Sequence, residues 1–355
     1  ASDVYKRQQL LRSVMYINHL QLIPNTLFES VGGYREGFEG SQDHDLALRM
    51  SEYTIPKQIT ALAYLWRRGR VSLSVEDGRI GDLSIDASRR ALEDHFERIG
   101  LNADVKPYFL APAPGKQPQA TGVFISRIIP STMPKISIVI PCKLGSTAVV
   151  GTDTITVLEH CLLSIRESSR DDEKLASNLP ELEIILVLNH EDDQEHASSL
   201  ISTFDLAGFV LCDEPGFNFS RKCNLGAKHA SGEIIVFLND DTAFESKRWT
   251  SHVVSLLQEE DVACVGCLLL NSDRTVQSCG DNIGRNSAVH YVPNESAATV
   301  GDAMHRYFAD HETTAITGAF FCCDLWLPLD ILERSTENPS DHGVFSARHT
   351  SINYG

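Results

Sequence analysis

From Lys135 onward the chain alternates short, unbroken apolar runs with stretches whose apolar residues recur every three or four positions. "KISIVIP", "LEIILVLN" and "EIIVFLN" have strand length, are rich in Ile and Val, and end at Pro or Asn. "FVLCDE" offers a further strand. Between these runs, "TITVLEHCLLSIRESS" and "SRKCNLGAKHASG" carry helical stripes, the second closed at Gly232. A strand apolar along its whole length must be covered on both faces, and helices between successive strands supply that cover. The pattern therefore predicts an α/β domain with a mainly parallel sheet. In such sheets ligands bind beyond the carboxyl ends of the strands.

One strand ends in a way that calls for an explanation. "IIVFLNDDTAFE" runs five apolar residues into Asn239, Asp240, Asp241 and Thr242. Adjacent carboxylates repel each other, and burying them unpaired is costly. Placed at a strand end they project into the expected cleft, where a cation would neutralise them. Two hard oxygen donors suit Mg2+ or Mn2+, which keeps several waters and binds substrate phosphates. The competing reading is a helix N-cap, since "AFESKRWTSHVVSLLQ" follows directly.

The formal net charge of −17 argues against nucleic acid as the main partner, because neutralising phosphates needs clustered Lys and Arg. A nucleotide escorted by a metal ion is still compatible with it. No apolar run has transmembrane length, and "ASDVYKRQQLLRS" lacks the apolar core of a signal peptide. The expectation is a cytoplasmic protein, with peripheral contact at the inner membrane face allowed. The nine cysteines lie mostly in apolar stretches and read as reduced core thiols. Cys264 and Cys267 have CxxC spacing, but they sit in a strand-like run, and Cys322-Cys323 would have to supply the other half of a zinc site. Asn218-Phe-Ser and Asn294-Glu-Ser match the glycosylation pattern by chance.

A chain of 355 residues accommodates two domains. Residues 10–105 end in the helical pattern "IDASRRALEDHFERIG", with Gly100 placed as its C-terminal cap. Residues 106–134 are rich in proline and read as a linker, 135–332 hold the strand–helix alternation, and 333–355 form a tail of uncertain character.

"GFNFSRKCNLGAKHASGEIIVFLNDDT", Gly216 to Thr242, closely resembles the donor-binding segment of family 2 glycosyltransferases, especially those building rhamnose-containing and other bacterial cell-surface polysaccharides. The resemblance runs in order through "KISIVIP", "LEHCLLSI", "LEIILVLN", "VACVGCLLLNSDRTVQSCGDNIG" and "TTAITGAFF", roughly residues 135 to 323. It implies a GT-A fold, a Rossmann-like sheet that binds a nucleotide-sugar. It further implies Asp241 at the metal position, Asn239 and Asp240 at the ribose and sugar, Pro141 bordering the base, and Asn224 lining the nucleotide pocket. Where the family often carries a base-recognising Asp, this chain has Leu188, leaving Asn189 or Asp192 as substitutes.

"YINHLQLIPNTLFESVGGYREGFEGSQDHDLALRM", Tyr16 to Met50, is similar to the acceptor-side half of the same domain type. There Asp43 matches the catalytic base, and Asp45 reads as a helix cap. "AYLWRRGRVSLS" matches a later element in which Leu65 replaces the usual His. An acceptor half followed by a donor half implies a window on a tandem enzyme, whose residues 1–8 and last twenty look foreign to the family. The expected activity is inverting transfer of a sugar from UDP- or dTDP-sugar to a glycan or lipid-linked glycan, poor in this chain because each cleft is half built. The alternatives are a non-catalytic nucleotide-sugar-binding module and a sugar-phosphate nucleotidyltransferase, for which "PCKLGSTAVVG" offers Lys143 and scattered glycines.

Overall fold

The computed structural model describes residues 8–17, 21–57, 82–110, 119–150, 153–169, 179–213, 217–259, 262–283, 288–290, 294, 309–324 and 347–350. The chain divides into two compact units. The first comprises Ala1–Ile129, Leu269–Cys279 and Val292–Glu312; the second comprises Pro130–Leu268, Gly280–Tyr291 and Thr313–Gly355. The "AYLWRRGRVSLS" element with Leu65 lies outside the described residues.

The first unit contains helices α1 (Gln8–Ser13), α2 (Asn25–Ser30), α3 (Gln42–Ser51) and α4 (Asp82–Arg98), followed by strands β1 (Ala103–Leu110) and β2 (Gln119–Ile128). The helical stripe of α4 buries Ala87, Ala91, Leu92 and Phe96. Ala91, Leu92 and Phe96 share one core with Phe38, Leu48, Val105 and Phe124. Gly100 ends α4 as expected: its φ of 74° admits a left-handed turn. Its N–H donates to Glu97 O at 3.1 Å, and that of Leu101 donates to Phe96 O at 2.9 Å.

The proline-rich stretch 106–134 contains more order than its composition suggested. β1 and β2 pair antiparallel from Ala103↔Ile128 to Leu110↔Gln119, with the register broken between Pro107 and Phe109. Pro107 has no N–H for the ladder, so the irregularity falls where a hydrogen bond could not form. Buried Val105, Val123, Phe124 and Ile128 hold the hairpin.

The second unit opens with β3 (Ile136–Pro141), the hairpin β4 (Thr147–Val150) and β5 (Asp153–Thr156), and α5 (Val157–Ser169). It continues with β6 (Leu182–Asn189), α6 (Gln194–Phe204), β7 (Gly208–Cys212), α7 (Phe219–His229), β8 (Ile234–Leu238), α8 (Trp249–Leu257) and β9 (Cys264–Cys267). Of the short strands that follow, β10 (Leu269–Leu270) and β11 (Val276–Ser278) fall in the first unit, β12 (Asp281–Ile283) and β13 (Ala288–His290) in the second, and β14 (His311–Thr313) spans the division; β15 (Phe320–Asp324) and β16 (Ala347–Thr350) complete the second unit. An eight-stranded sheet has the order β14-β16-β9-β15-β8-β3-β6-β7. β3 pairs parallel with both β6 and β8, and β6 with β7. β15 runs antiparallel between β8 and β9.

Every residue of β3 and of β8 is buried, as continuous apolar runs in a doubly covered sheet require. On one face α7 lays Cys223 and Ala227 against Val139, Val187 and Phe237. The approach is close: a methyl at Gly226 would stand 2.9 Å from Val187 Cγ2. Gly232 precedes β8 for the same reason, since a Cβ there would lie 2.7 Å from Lys135 O. All nine cysteines are buried free thiols, with Cys264 and Cys323 in the α7-side core. Burial pushes the Cys264, Cys267 and Cys323 thiols up to about 12. Ala347–Thr350, inside the tail, pairs parallel with β9, a contact its polar sequence gave no sign of.

Candidate functional site

β3, β6 and β8 are neighbours in the sheet and run parallel, so their carboxyl ends emerge side by side. Three consecutive residues after β3 gather the surrounding elements. Cys142 O accepts from Lys222 Nζ of α7 at 2.7 Å. The Lys143 N–H donates to Asp240 Oδ2 at 3.4 Å, and the Leu144 N–H to Asp192 Oδ1 at 3.3 Å. One loop thus ties α7, the end of β8 and the end of β6 together through main-chain groups.

The Asn239–Thr242 stretch forms a turn and caps no helix. α8 begins only at Trp249, behind Arg248. Asn239 N–H donates to Ala319 O at 3.0 Å, while its carbonyl accepts from Thr242 Oγ1 at 2.7 Å. This fixes the turn and leaves Asp240 half-buried and Asp241 exposed. Burial raises the Asp240 carboxyl above its usual range and the charge of Asp241 adds to this, against the Lys143 N–H and the Lys222 ammonium. A carboxylate held at that disadvantage beside a second one gains from a divalent cation. No group of three or more His, Cys, Asp or Glu side chains able to hold a metal occurs among the described residues. The two oxygen donors therefore fit Mg2+ or Mn2+ completed by water and ligand phosphates, and do not fit a metal caged by protein alone.

At the end of β6, Leu188 is fully buried in the sheet and Asn189 is 2% exposed. Asp192 turns back to accept the Asn189 N–H at 2.7 Å, so its carboxylate braces the loop. Asn189 Oδ1, by contrast, is buried and accepts no hydrogen bond from the described residues. Pro141 lies in register with Val187, closing β3 against β6.

Lys222 is the residue that sequence reasoning missed. Its side chain is completely buried, and Nζ also donates to Val187 O at 3.1 Å. Burial lowers its pKa, opposed by the carboxylates of Asp192 and Asp240. Helical periodicity could have found it, since Lys222 shares the sheet-facing stripe of Cys223, Gly226 and Ala227. Asn224 falls on the opposite side of α7. There it lines an open groove of about 750 Å³ with Leu211, Asp213, Asn218, Arg221 and Lys228. Asn218 has a structural role in addition: its side chain accepts the Arg221 N–H at 3.1 Å as the N-cap of α7.

Asp43 and Asp45 belong to the first unit, on the first turn of α3. Asp43 is half-buried, and its Oδ1 accepts the His44 N–H at 2.9 Å. Asp45 was expected to be a simple cap, and the structure corrects this. It is wholly buried and clamped by Arg35 and Arg49. Burial pushes its carboxyl up, and hydrogen bonds from the two guanidiniums outweigh that and hold it low.

Residues 137–302 match the family model described as glycosyl transferase family 2. That stretch belongs to glycosyl transferase family 2. The matched stretch carries the core of the mainly parallel α/β sheet. The chain is 33% identical over 276 residues to the O-antigen biosynthesis protein RfbC of Myxococcus xanthus, a match covering 78% of this chain and 19% of the relative. It is 32% identical over 284 residues to the uncharacterized protein y4gI of Sinorhizobium fredii (strain NBRC 101917 / NGR234), covering 78% of this chain and 28% of that protein. The chain thus spans well under a third of either relative. A mannosyltransferase from Pyrobaculum calidifontis, solved in complex with GDP-Man and Mn2+, aligns at 16% identity and TM-score 0.36, over 69% of this chain and 58% of that one. No helix among the described residues is long and apolar enough to cross a membrane.

Proposed function

We propose that the family 2 domain is an inverting, metal-dependent glycosyltransferase of bacterial cell-surface polysaccharide synthesis, acting in the cytoplasm at the inner face of the membrane. Its donor is a UDP- or dTDP-sugar and its acceptor a glycan or lipid-linked glycan. The observation that carries this reading is the turn at the end of β8, which presents Asp240 and Asp241 at the carboxyl end of a central buried strand beside the loop after β3. Asp241 would hold Mg2+ or Mn2+ on the donor diphosphate, Asn239 and Asp240 the ribose and sugar, and Asn189 with Pro141 the base. The bound metal would supply Lewis-acid stabilisation of charge on the departing diphosphate.

The chemistry needs one proton acceptor and in-line placement. An acceptor hydroxyl gives its proton to a carboxylate while its oxygen attacks the anomeric carbon. The bond from that carbon to the diphosphate oxygen breaks, and its electron pair leaves with the diphosphate. We assign such a carboxylate role to Asp43 for the cleft of its own acceptor-side half-domain in the first unit, and not for the donor site at Asp241; general-base catalysis of this kind contributes roughly 10²- to 10⁴-fold. Buried Asp45, already paired with two arginines, is unsuited to take up a proton.

Calorimetric titration with UDP and dTDP in MnCl2, MgCl2 or chelator tests the donor site. Metal-dependent binding lost in Asp241→Asn is expected, and equal affinity with chelator would overturn the reading. Nucleotide release from UDP- and dTDP-sugars with acceptor glycans tests transfer. Metal-dependent binding with little acceptor-stimulated release is the result expected of this chain, whose clefts are each half built.

A further inference from the structure

We propose that the ring of Phe217 is the platform on which the donor's nucleobase stacks, an inference that rests on the donor-site reading above. Phe217 stands just before α7 and is 55% exposed, although a phenyl ring is normally driven inside. The Lys222 ammonium lies over the ring, 4.7 Å from its centroid. That ammonium is itself fixed by Cys142 O and Val187 O at the ends of β3 and β6. The ring is therefore pinned by a buried cation at the strand ends, and what remains exposed is free to meet a ligand.

A second feature of the same corner points to the same kind of ligand. Asn189 follows Val187 by two residues along β6, about 6–7 Å by the rise of a strand. Its buried Oδ1 has no donor among the described residues, and an acceptor left so is a cost that a bound N–H would remove. A flat apolar face together with a lone buried acceptor suits a flat heterocycle that carries a ring N–H. Uracil and thymine offer N3–H, and guanine offers N1–H; adenine has no ring N–H on its pairing edge. Stacking accepts any base, and the amide oxygen adds the preference.

Calorimetry of the whole chain in MnCl2 with UDP, dTDP, GDP, ADP and inorganic pyrophosphate separates the contributions. Wild type is expected to bind UDP or dTDP more tightly than ADP. Phe217→Ala and Phe217→Leu should weaken that binding roughly 5- to 150-fold while leaving pyrophosphate unchanged, and Phe217→Trp should retain it. Phe217→Leu keeps apolar bulk without the ring, so it guards against a mere packing defect. Wild-type affinity for UDP and dTDP in Phe217→Leu, or a parallel loss of pyrophosphate binding, would overturn the inference alone. A wild-type chain that binds neither nucleotides nor pyrophosphate in the presence of Mn2+ would bring down the donor-site reading and the inference with it.

Discussion

Arg49 reaches back one turn of α3 to Asp45, with Nε 3.1 Å and Nη2 2.6 Å from the same carboxylate oxygen. Nη2 also donates to Gly33 O at 2.7 Å, and Nη1 to Val31 O. The pair thus fastens the Gly32-Gly33 turn to the helix, and Arg35 closes the carboxylate from its other side, through Nε at 3.1 Å from each oxygen. Asp43, two residues earlier, faces the main-chain N–H of His44.

This contrast separates the two acids by experiment. Asp45→Asn leaves the buried Arg49 guanidinium without its counter-charge, while the partly exposed Arg35 keeps Asp94 at 2.8 Å, and should destabilise the first unit by about 3–5 kcal/mol. Asp43→Asn, at a half-buried acid whose carboxylate accepts the neighbouring His44 N–H, should shift the urea midpoint little. A near-wild-type midpoint for Asp45→Asn would show that the clamp contributes nothing to folding.

At the strand ends, Asp241→Asn should remove the metal dependence of nucleotide binding without altering the thermal midpoint of the metal-free chain. Asp241 is exposed and no helix depends on it as a cap, so a purely structural loss is not expected there.

Glu183 gives a pH dependence with a defined sign. Burial raises its carboxyl, but hydrogen bonds from the Ser137 hydroxyl, the Ser231 N–H and hydroxyl, and the Lys135 ammonium outweigh this and bring it down to about 2. Its unfolded value is 4.5, so the folded state binds the proton more weakly. The stabilisation is complete above about pH 4.5 and is lost as the pH falls towards 2, amounting to roughly 3 kcal/mol at most. In urea titrations at pH 7 and pH 3, Glu183→Gln should lower the midpoint at pH 7 and flatten the difference. An unchanged pH slope would remove Glu183 from the account.

Gly226→Ala tests how closely α7 packs on the sheet. In an exposed helix the change would gain up to about 1 kcal/mol. Here the new methyl would run into Val139 and stand 2.9 Å from Val187 Cγ2. Overpacking typically costs about 1–3 kcal/mol, so the net effect should be destabilising. A raised melting temperature would show that the helix can retreat.

The local elements were legible in the sequence because their causes are local. β3, β8 and the Ile185–Asn189 part of β6 are buried on both faces, which demands apolar runs, and the positive φ of Gly100 marks the end of α4 wherever that helix packs. Only the tertiary structure decided what depends on residues far apart in the chain. Whether "NDDT" caps a helix or forms a turn depends on where α8 starts, seven residues beyond Thr242. The placement of β15 between β8 and β9, and of Ala347–Thr350 beside β9, follows from ladder hydrogen bonds to distant strands, which side-chain pattern does not encode. The proline content of 106–134 obscured a hairpin whose stability comes from Val105, Phe124 and Ile128 packing on α3 and α4. Lys222 could be placed on the sheet-facing stripe of α7 from its spacing alone. That a charged side chain could be buried there became plain only when the carbonyls of Cys142 and Val187, 80 and 35 residues away in sequence, were seen to meet it.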